Sequence, residues 1–480
     1  MASIDKASVR QQIDGIKVEF KQLHTQGKIT PEVHALMNSM LLIIDLILSI
    51  FQERLTRKTN KNASIPSSQM AGTDDTTPGS KSKGRQFHGA TLSNRRTYET
   101  VTIARVETCS DCGEDLSKTT RSGLERRTRI DIVFEKVVEH IDAEIKQCPR
   151  CQHTTKGHFP ADLYGRKQYG NGVKALVINL LLCQMIALNR AGQMVQSLID
   201  ETLSEATMLQ FVLRLHETLA DWEDRAITQL LQSPVMFVDE TGLRVDRKNH
   251  WIHVYCAGDI TLKRLHQKRG KEAIDAIHII PRYGGIIVHD CWASYLSYDH
   301  CDHGLCGAHL LRELTFMVEA NQYAWAKNMK KLLQKACHEV SQSDGKCLDN
   351  TAYKKLQKHY RNLLARGEKE MPVILPKAAG KRGKMAKSDA HNLLDRLRKY
   401  EAAVLLFAKN PHVAFTNNRS ERDLRMAKVK QKVSGCFRSE LYAQAYCRIS
   451  SYLQTMANKG INPMLAIQMA LAGQATVGSE

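Results

Sequence analysis

No apolar run in this 480-residue chain approaches the roughly 20 residues that a membrane-spanning helix needs. The longest, residues 40–51 and 177–188, are interrupted by Asp45 and Asn179. The opening segment MASIDKASVRQQ has no signal-peptide core. Together these absences predict a cytoplasmic chain with no membrane partner. In that reducing setting, 13 cysteines read as thiols or metal ligands rather than disulfides. Acid is also scarce: 50 Asp and Glu face 69 Lys and Arg, for a net charge of +19. A surplus that large predicts a polyanionic partner. The 42% hydrophobic and 25% charged residues exclude a disordered, collagen-like or disulfide-scaffold protein. The length predicts two to four domains.

Residues 1–57 read as helical. Thr30 is a good N-cap, and Pro31 sits where a first turn tolerates proline. Val33, Met37, Met40, Ile44, Ile47 and Phe51 then follow at heptad spacing. Two readings stay open: a helix packed on its own chain, or a short dimerising coiled coil. Residues 58–100 are rich in Ser, Thr, Gly, Pro, Asn and Lys and read as a flexible linker.

In residues 101–160, Cys109-Ser-Asp-Cys112 and Cys148-Pro-Arg-Cys151 give two CxxC knuckles. Four soft thiolates suit one structural Zn²⁺ in a closed tetrahedral shell. Residues 161–232 read as helical, with one nearly buried helix over 173–188. A break at Thr202-Leu203 and a capping Ser204 give a helix-turn-helix outline, against which plain helical packing remains open.

From residue 233 alternation replaces helical spacing. VMFVDET, HWIHVYCAG and TLKRLHQ read as strands, GKEAIDAIHIIP as a helix and GGIIVHD as a fourth strand. Asp239 would end the first strand and Asp290 the fourth. In a ribonuclease-H-like fold those strands are neighbours, so the two carboxylates would meet. Residues 300–410 read as a helical, basic insertion. Residues 351–440 hold 22 Lys and Arg against 8 Asp and Glu, too lopsided for a merely solvated face. In TNNRSERDLRMAKVKQKVSG, Asn417 or Asn418 caps a helix. Glu421, Arg425, Lys428 and Lys432 fall on one face of it, flanked by Arg422 and Lys430. The bland reading is an exposed Glu421–Arg425 ion pair. The sharper one lays the cations, Arg419 included, on DNA phosphates. Residues 441–480 read as a C-terminal helical segment.

The strings VDET, VHDCWASY, CGAHLLREL and TNNRSERDLRMAKVKQKVSG resemble bacterial transposases of the insertion sequence 66 family. TRKTNKNASIPSSQ, the paired CxxC, KQYGNGVKALVINLLL, HQKRGKEAID and SSYLQTMANKGINP follow in that family's order, so the resemblance covers most of the chain. It implies an α/β multidomain protein. Helical N-terminal and small zinc-binding modules precede a ribonuclease-H-like DDE core over 233–440, with its helical insertion near 300–410. Asp239, Asp290 and Glu421 occupy the triad positions, with Mg²⁺ or Mn²⁺ as the catalytic ion. Asp239 would bridge two ions and Glu421 would complete one shell. Glu240 points to the other side of its strand and reads as structural. Cys306-Gly-Ala-His309 fits a CxxH string found after the second acid in several such families, with no role assigned.

The implied function is a DNA transposase. Water attacks first and frees a 3′ hydroxyl at the element end, and that hydroxyl then attacks target DNA. The implied partners are double-stranded DNA at element ends and target, a homodimer or higher oligomer, and accessory proteins of the element. A nucleoid-associated place in a bacterial cytoplasm follows. The alternatives are a non-catalytic zinc-finger regulator derived from a transposase and a structure-selective nuclease.

Overall fold

The computed structural model describes residues 6–56, 58–59, 62, 101–132, 134–163, 165–374 and 387–475. The predicted linker lies almost wholly outside them, as does most of the loop before residue 387. The chain divides into two compact units, one of residues 1–83, 220–455 and 477–480, the other of residues 84–219 and 456–476.

The first unit opens with two consecutive helices, α1 (Lys6–Thr25) and α2 (Pro31–Leu55). Thr30 caps α2 by accepting from the Val33 N–H, with Pro31 in the first turn. Of the heptad seam, Val33, Met40, Ile44, Ile47 and Phe51 are exposed. Among the described residues, these five do not pack into a core. By length and composition α2 could cross a membrane, a test that soluble helices also pass. Its apolar run is broken by Asp45, paired with Lys17 of α1, and by the buried Glu53. Glu53 accepts from the N–H groups of Asp389 and Ala390 and from the Asn321 amide.

In the second unit, β1 (Ile145–Gln147) and β2 (Thr154–Lys156) form an antiparallel hairpin. The helices α3 (Asn171–Ile178), α4 (Leu188–Ile199) and α5 (Glu205–Thr218) follow. The expected continuous helix over 173–188 is corrected: α3 widens into a π-helical stretch at Asn179–Cys183, and Met185 turns to a left-handed backbone. The stretch begins at Asn179, the polar residue that interrupts the apolar run, but a lone asparagine does not by itself distinguish a π-helical turn from an α-helical one. Ser204 caps α5 by accepting from the Thr207 N–H, after the expected break.

The first unit resumes with α6 (Ala220–Gln232) and a five-stranded mixed sheet. Its strands are β3 (Val235–Val245), β4 (Lys248–Ala257), β5 (Ile260–His266), β6 (Ile286–His289) and β7 (Asp302–Leu305), in the order β5-β4-β3-β6-β7. β3, β4 and β5 run antiparallel, joined by tight turns. After α7 (Lys271–Ile277), β6 returns parallel to β3, and β7 lies parallel to β6. The first strand is longer than its sequence suggests. Asp239 sits within β3, not at its end, because the hairpin with β4 continues to Val245↔Lys248. The parallel ladder with β6, however, stops at Phe237↔Val288.

Five helices then build the insertion: α8 (Gly307–Asn321), α9 (Ala324–Gln342), α10 (Asn350–Glu370), α11 (Asp389–Lys399) and α12 (Glu401–Lys409). They enclose a core that includes Trp325, Leu333, Tyr360, Leu394 and Phe407, continuous with Val235, Val288 and Leu305 of the sheet. Fully burying each large apolar side chain stabilises by about 1.5–3 kcal/mol, so this core makes the insertion a firm body on the sheet. α13 (Asn418–Ser434) and α14 (Glu440–Asn458) complete the unit. Thr455 and Ser451 of α14 accept from the N–H groups of Thr261 and Lys263 on β5. α15 (Pro463–Leu471) belongs to the second unit.

Candidate active site

Asp239 and Asp290 meet because β3 and β6 are neighbours. Continuing the parallel register two residues past Phe237↔Val288 brings Asp239 level with Asp290. The chain turns sharply there, with Cys291 in the left-handed region at φ 73°. That turn lets the Trp292 N–H donate to Asp290 Oδ1 at 3.0 Å and the Cys291 N–H to His289 Nδ1 at 3.1 Å. A left-handed backbone at a non-glycine residue beside a polar cluster is a common mark of a functional site. Burial, then the charges of Glu240 and Asp290, push the Asp239 carboxyl well above the usual carboxylate range. The Glu240 N–H and His309 offset part of this.

Glu421 comes from the first turn of α13. Among the described residues its carboxylate faces His309 and Arg312 of α8, not Arg425. Oε1 lies 3.5 Å from His309 Nδ1 and Oε2 lies 3.8 Å from Arg312 Nη2. The charge of His309 bears on Asp239, and the charges of Asp290 and Glu421 bear on His309. Burial alone would depress that imidazole. The Cys306 thiol, hydrogen-bonded to it, and the charges of Glu421 and Asp290 raise it to about 9. Burial would raise the Cys306 thiol, but His309 and the Asn417 N–H hold it below its ordinary value.

Cys306 caps α8 and His309 lies one turn further on, so the CxxH spacing puts both on one face. Between them Gly307 has no room for a side chain. A Cβ there would meet the Phe415 ring at 2.3 Å. The sequence offered the clue for Arg312 as well, since residues 306, 309 and 312 recur every three positions.

Glu240 turns to the opposite side of β3 and is buried. Arg269 donates to its Oε1 through Nε at 2.8 Å and Nη2 at 2.6 Å, and the Tyr295 hydroxyl donates to Oε2 at 2.6 Å. The Arg269 guanidinium is held between Trp251 and Trp292, 5.0 and 4.4 Å from the ring centroids. This second cluster packs directly behind the loop that bears Asp290.

α13 is tied to the sheet largely by polar contacts. Asn417 does not cap it by a side-chain bond. Its amide donates to the Val238 carbonyl and its oxygen accepts from Ser420. Asp423 is buried and accepts from Thr261 at 2.7 Å. Of the expected DNA-facing cations, Arg419 donates to the Ile260 carbonyl at 2.9 Å and Lys428 to the Gly242 carbonyl at 2.6 Å. Lys430 is half-buried, and burial depresses its ammonium. Arg422, Arg425 and Lys432 are exposed. Helical spacing alone cannot tell the sheet side of a helix from the solvent side.

The two CxxC knuckles adopt one turn twice. The N–H of Cys109 donates to the Glu114 carbonyl and that of Cys148 to the His153 carbonyl. The N–H groups of Gly113 and Gln152, both left-handed, return to the carbonyls of Cys109 and Cys148. Backbone N–H groups inside each turn lower the Cys109 and Cys148 thiols. The structure brings together Cys109 with Cys112 and Cys148 with Cys151. Among the described residues it does not gather the four sulfurs into one group. The cluster of potential metal ligands with all ligand atoms within 4.8 Å of one another is Cys306, His309 and Glu421.

No curated protein matches this chain. A family model described as Transposase IS66 family matches residues 166–445, which include the whole five-stranded sheet, Asp239, Asp290 and Glu421. With more than half of its length matched, the chain belongs to that transposase family.

Proposed function

We propose that this chain is a DNA transposase whose ribonuclease-H-like core uses Asp239, Asp290 and Glu421 for metal-dependent phosphodiester cleavage and strand transfer. The observation that carries the reading is the mutual repulsion of Asp239 and Asp290 beside Glu421. Half-buried acids whose charges bear on one another fit a cation, and an all-oxygen donor set fits Mg²⁺ or Mn²⁺. Bound there, such ions would stabilise both the attacking and the leaving oxygen of a phosphodiester. Asp239 and Asp290 would hold them from the sheet and Glu421 from α13. Three antiparallel strands followed by a helix and a strand parallel to the first support the ribonuclease-H-like reading.

Around the acids, Arg422, Arg425 and Lys432 offer exposed cations for DNA phosphates, a contact that positions a duplex without reading it. The matched turns at Cys109–Cys112 and Cys148–Cys151, each with a lowered thiol, support a structural Zn²⁺ for which the two pairs would have to draw together. The exposed seam of α2 supports a homodimer.

Asp239→Asn tests the assignment. End cleavage and strand transfer with Mg²⁺ should vanish while end-DNA binding persists. Cleavage retained by that variant would show the wrong acid was chosen. A wild-type chain that binds ends and never cleaves them would instead be the non-catalytic regulator.

A further inference from the structure

We propose that Cys306, His309 and Glu421 form a second metal site, for a zinc-class divalent ion, and that filling it draws Glu421 away from the two aspartates. The geometry comes first. Sulfur, imidazole nitrogen and carboxylate oxygen already lie within 4.8 Å of one another. Zinc bonds of about 2.0–2.3 Å would require these atoms to close in by roughly 1 Å, within the reach of side-chain rotation. The Glu421 carboxylate is split in its duties. Oε2 faces Arg312, while Oε1 is shielded from solvent and makes no hydrogen bond. The Asn417 N–H donates to Cys306 Sγ at 3.1 Å and orients the sulfur, as outer-shell donors do at metal centres.

The donor chemistry separates this site from the hard-ion site beside it. A thiolate and an imidazole select zinc or cobalt over magnesium, whereas Asp239 and Asp290 offer only oxygen. Both sites would use Glu421, so occupancy of one weakens the other. Binding conserves atoms simply. Cys306 and His309 share one proton beyond their fully ligating forms, and one proton leaves to solvent for each ion bound. The metal site itself rests on the three side chains. Its inhibitory consequence rests on the proposed role of Glu421 in catalysis.

The test uses the full chain given one equivalent of Zn²⁺ for its CxxC knuckles, then titrated with Co²⁺. Wild type should take up one further cobalt with a thiolate-to-cobalt absorption band in the near ultraviolet. Cys306→Ser should lose that band. His309→Gln and Glu421→Gln should weaken cobalt binding by at least about ten-fold, the lower end of what even an outer-shell partner costs. Unchanged circular dichroism identifies the folded variants, and any one of the three suffices. No further band in wild type leaves Cys306 and His309 as a bare ion pair and overturns the site. So does a band that survives in Cys306→Ser, or an affinity untouched by Glu421→Gln. Because cobalt uptake is read without DNA, the metal site stands or falls separately from the Asp239→Asn result.

Discussion

Arg269 is the most exacting place to perturb the region behind Asp290. Its guanidinium neutralises the buried Glu240 through two donated bonds and stacks between Trp251 and Trp292. Arg269→Met keeps the stem between the rings and removes the charge. Removing one partner of a buried ion pair costs about 3–5 kcal/mol, because the other charge is left unpaired. For a domain of this size that predicts a fall in Tm of roughly 6–20 °C. The cost must depend on pH. Burial and Asp290 already raise Glu240 to about 7, with Arg269 opposing them. Without Arg269 the carboxyl rises further and is protonated at low pH, so the loss is smaller at pH 6 than at pH 8. Adding Glu240→Gln to Arg269→Met should recover about half of the loss at pH 8, since no buried charge then remains. Urea unfolding followed by the fluorescence of the tryptophans that flank Arg269 reads this locally. A cost below about 1 kcal/mol at pH 8, or no rescue by Glu240→Gln, refutes the argument that this ion pair braces the Asp290 loop.

Two further outcomes follow from burial. His253 is 1% exposed on β4, and desolvation lowers its imidazole from the ordinary 6.5 to about 4. The native state therefore binds fewer protons than the unfolded chain between those values. Its contribution, about 3 kcal/mol, is present above pH 6.5 and lost as pH falls through 4. Stability of His253→Gln should fall less steeply over that interval, and equal slopes for both proteins would remove His253 as the cause. On α13, Lys432→Ala should flatten the plot of log DNA affinity against log salt by about 0.9, the effect of one released phosphate contact. Lys428→Ala should leave that slope unchanged and lower stability, because its ammonium is committed to the Gly242 carbonyl. A reversed pair of results would mean that α13 meets DNA with its sheet-facing edge.

The strand alternation around VMFVDET and GGIIVHD marked two strands, and the ribonuclease-H-like reading made them neighbours, as β3 and β6 are. The alternation was not enough to see that β3 continues beyond Asp239. The residues Thr241 and Gly242 look like a turn, yet Gly242 packs against the Trp251 ring in the hairpin. The cations of α13 were all assigned to DNA, yet Arg419 and Lys428 donate to carbonyls of the sheet. Sequence spacing gives the angle between side chains and not which sector the sheet covers. His309 was visible as a motif and silent as chemistry. Its meaning depends on Glu421, more than 100 residues away, and only the tertiary fold supplies that contact.

The attachment of α13 explains how Glu421 is held in place beside His309 and Arg312. Apolar packing would be a loose anchor here, since the buried residues of α13 include Ser420 and Asp423 beside Leu424 and Ala427. Fixed acceptors take its place. Asn417, Arg419 and Lys428 donate to the carbonyls of Val238, Ile260 and Gly242, which lie on two different strands. Backbone carbonyls do not change with sequence and cannot swing, so the helix is registered against the sheet at three points along its length. A one-residue slip would break all three at once, leave donors unpaired under the helix and move Glu421 by about 100° around its axis. Long basic side chains thus serve two ends of one helix surface. Those that reach the sheet set where the acid sits, and those left in solvent are free to meet a polyanion. The cations of α13 are thus divided between the sheet and solvent, and the division follows the geometry of the sheet rather than the order of the residues.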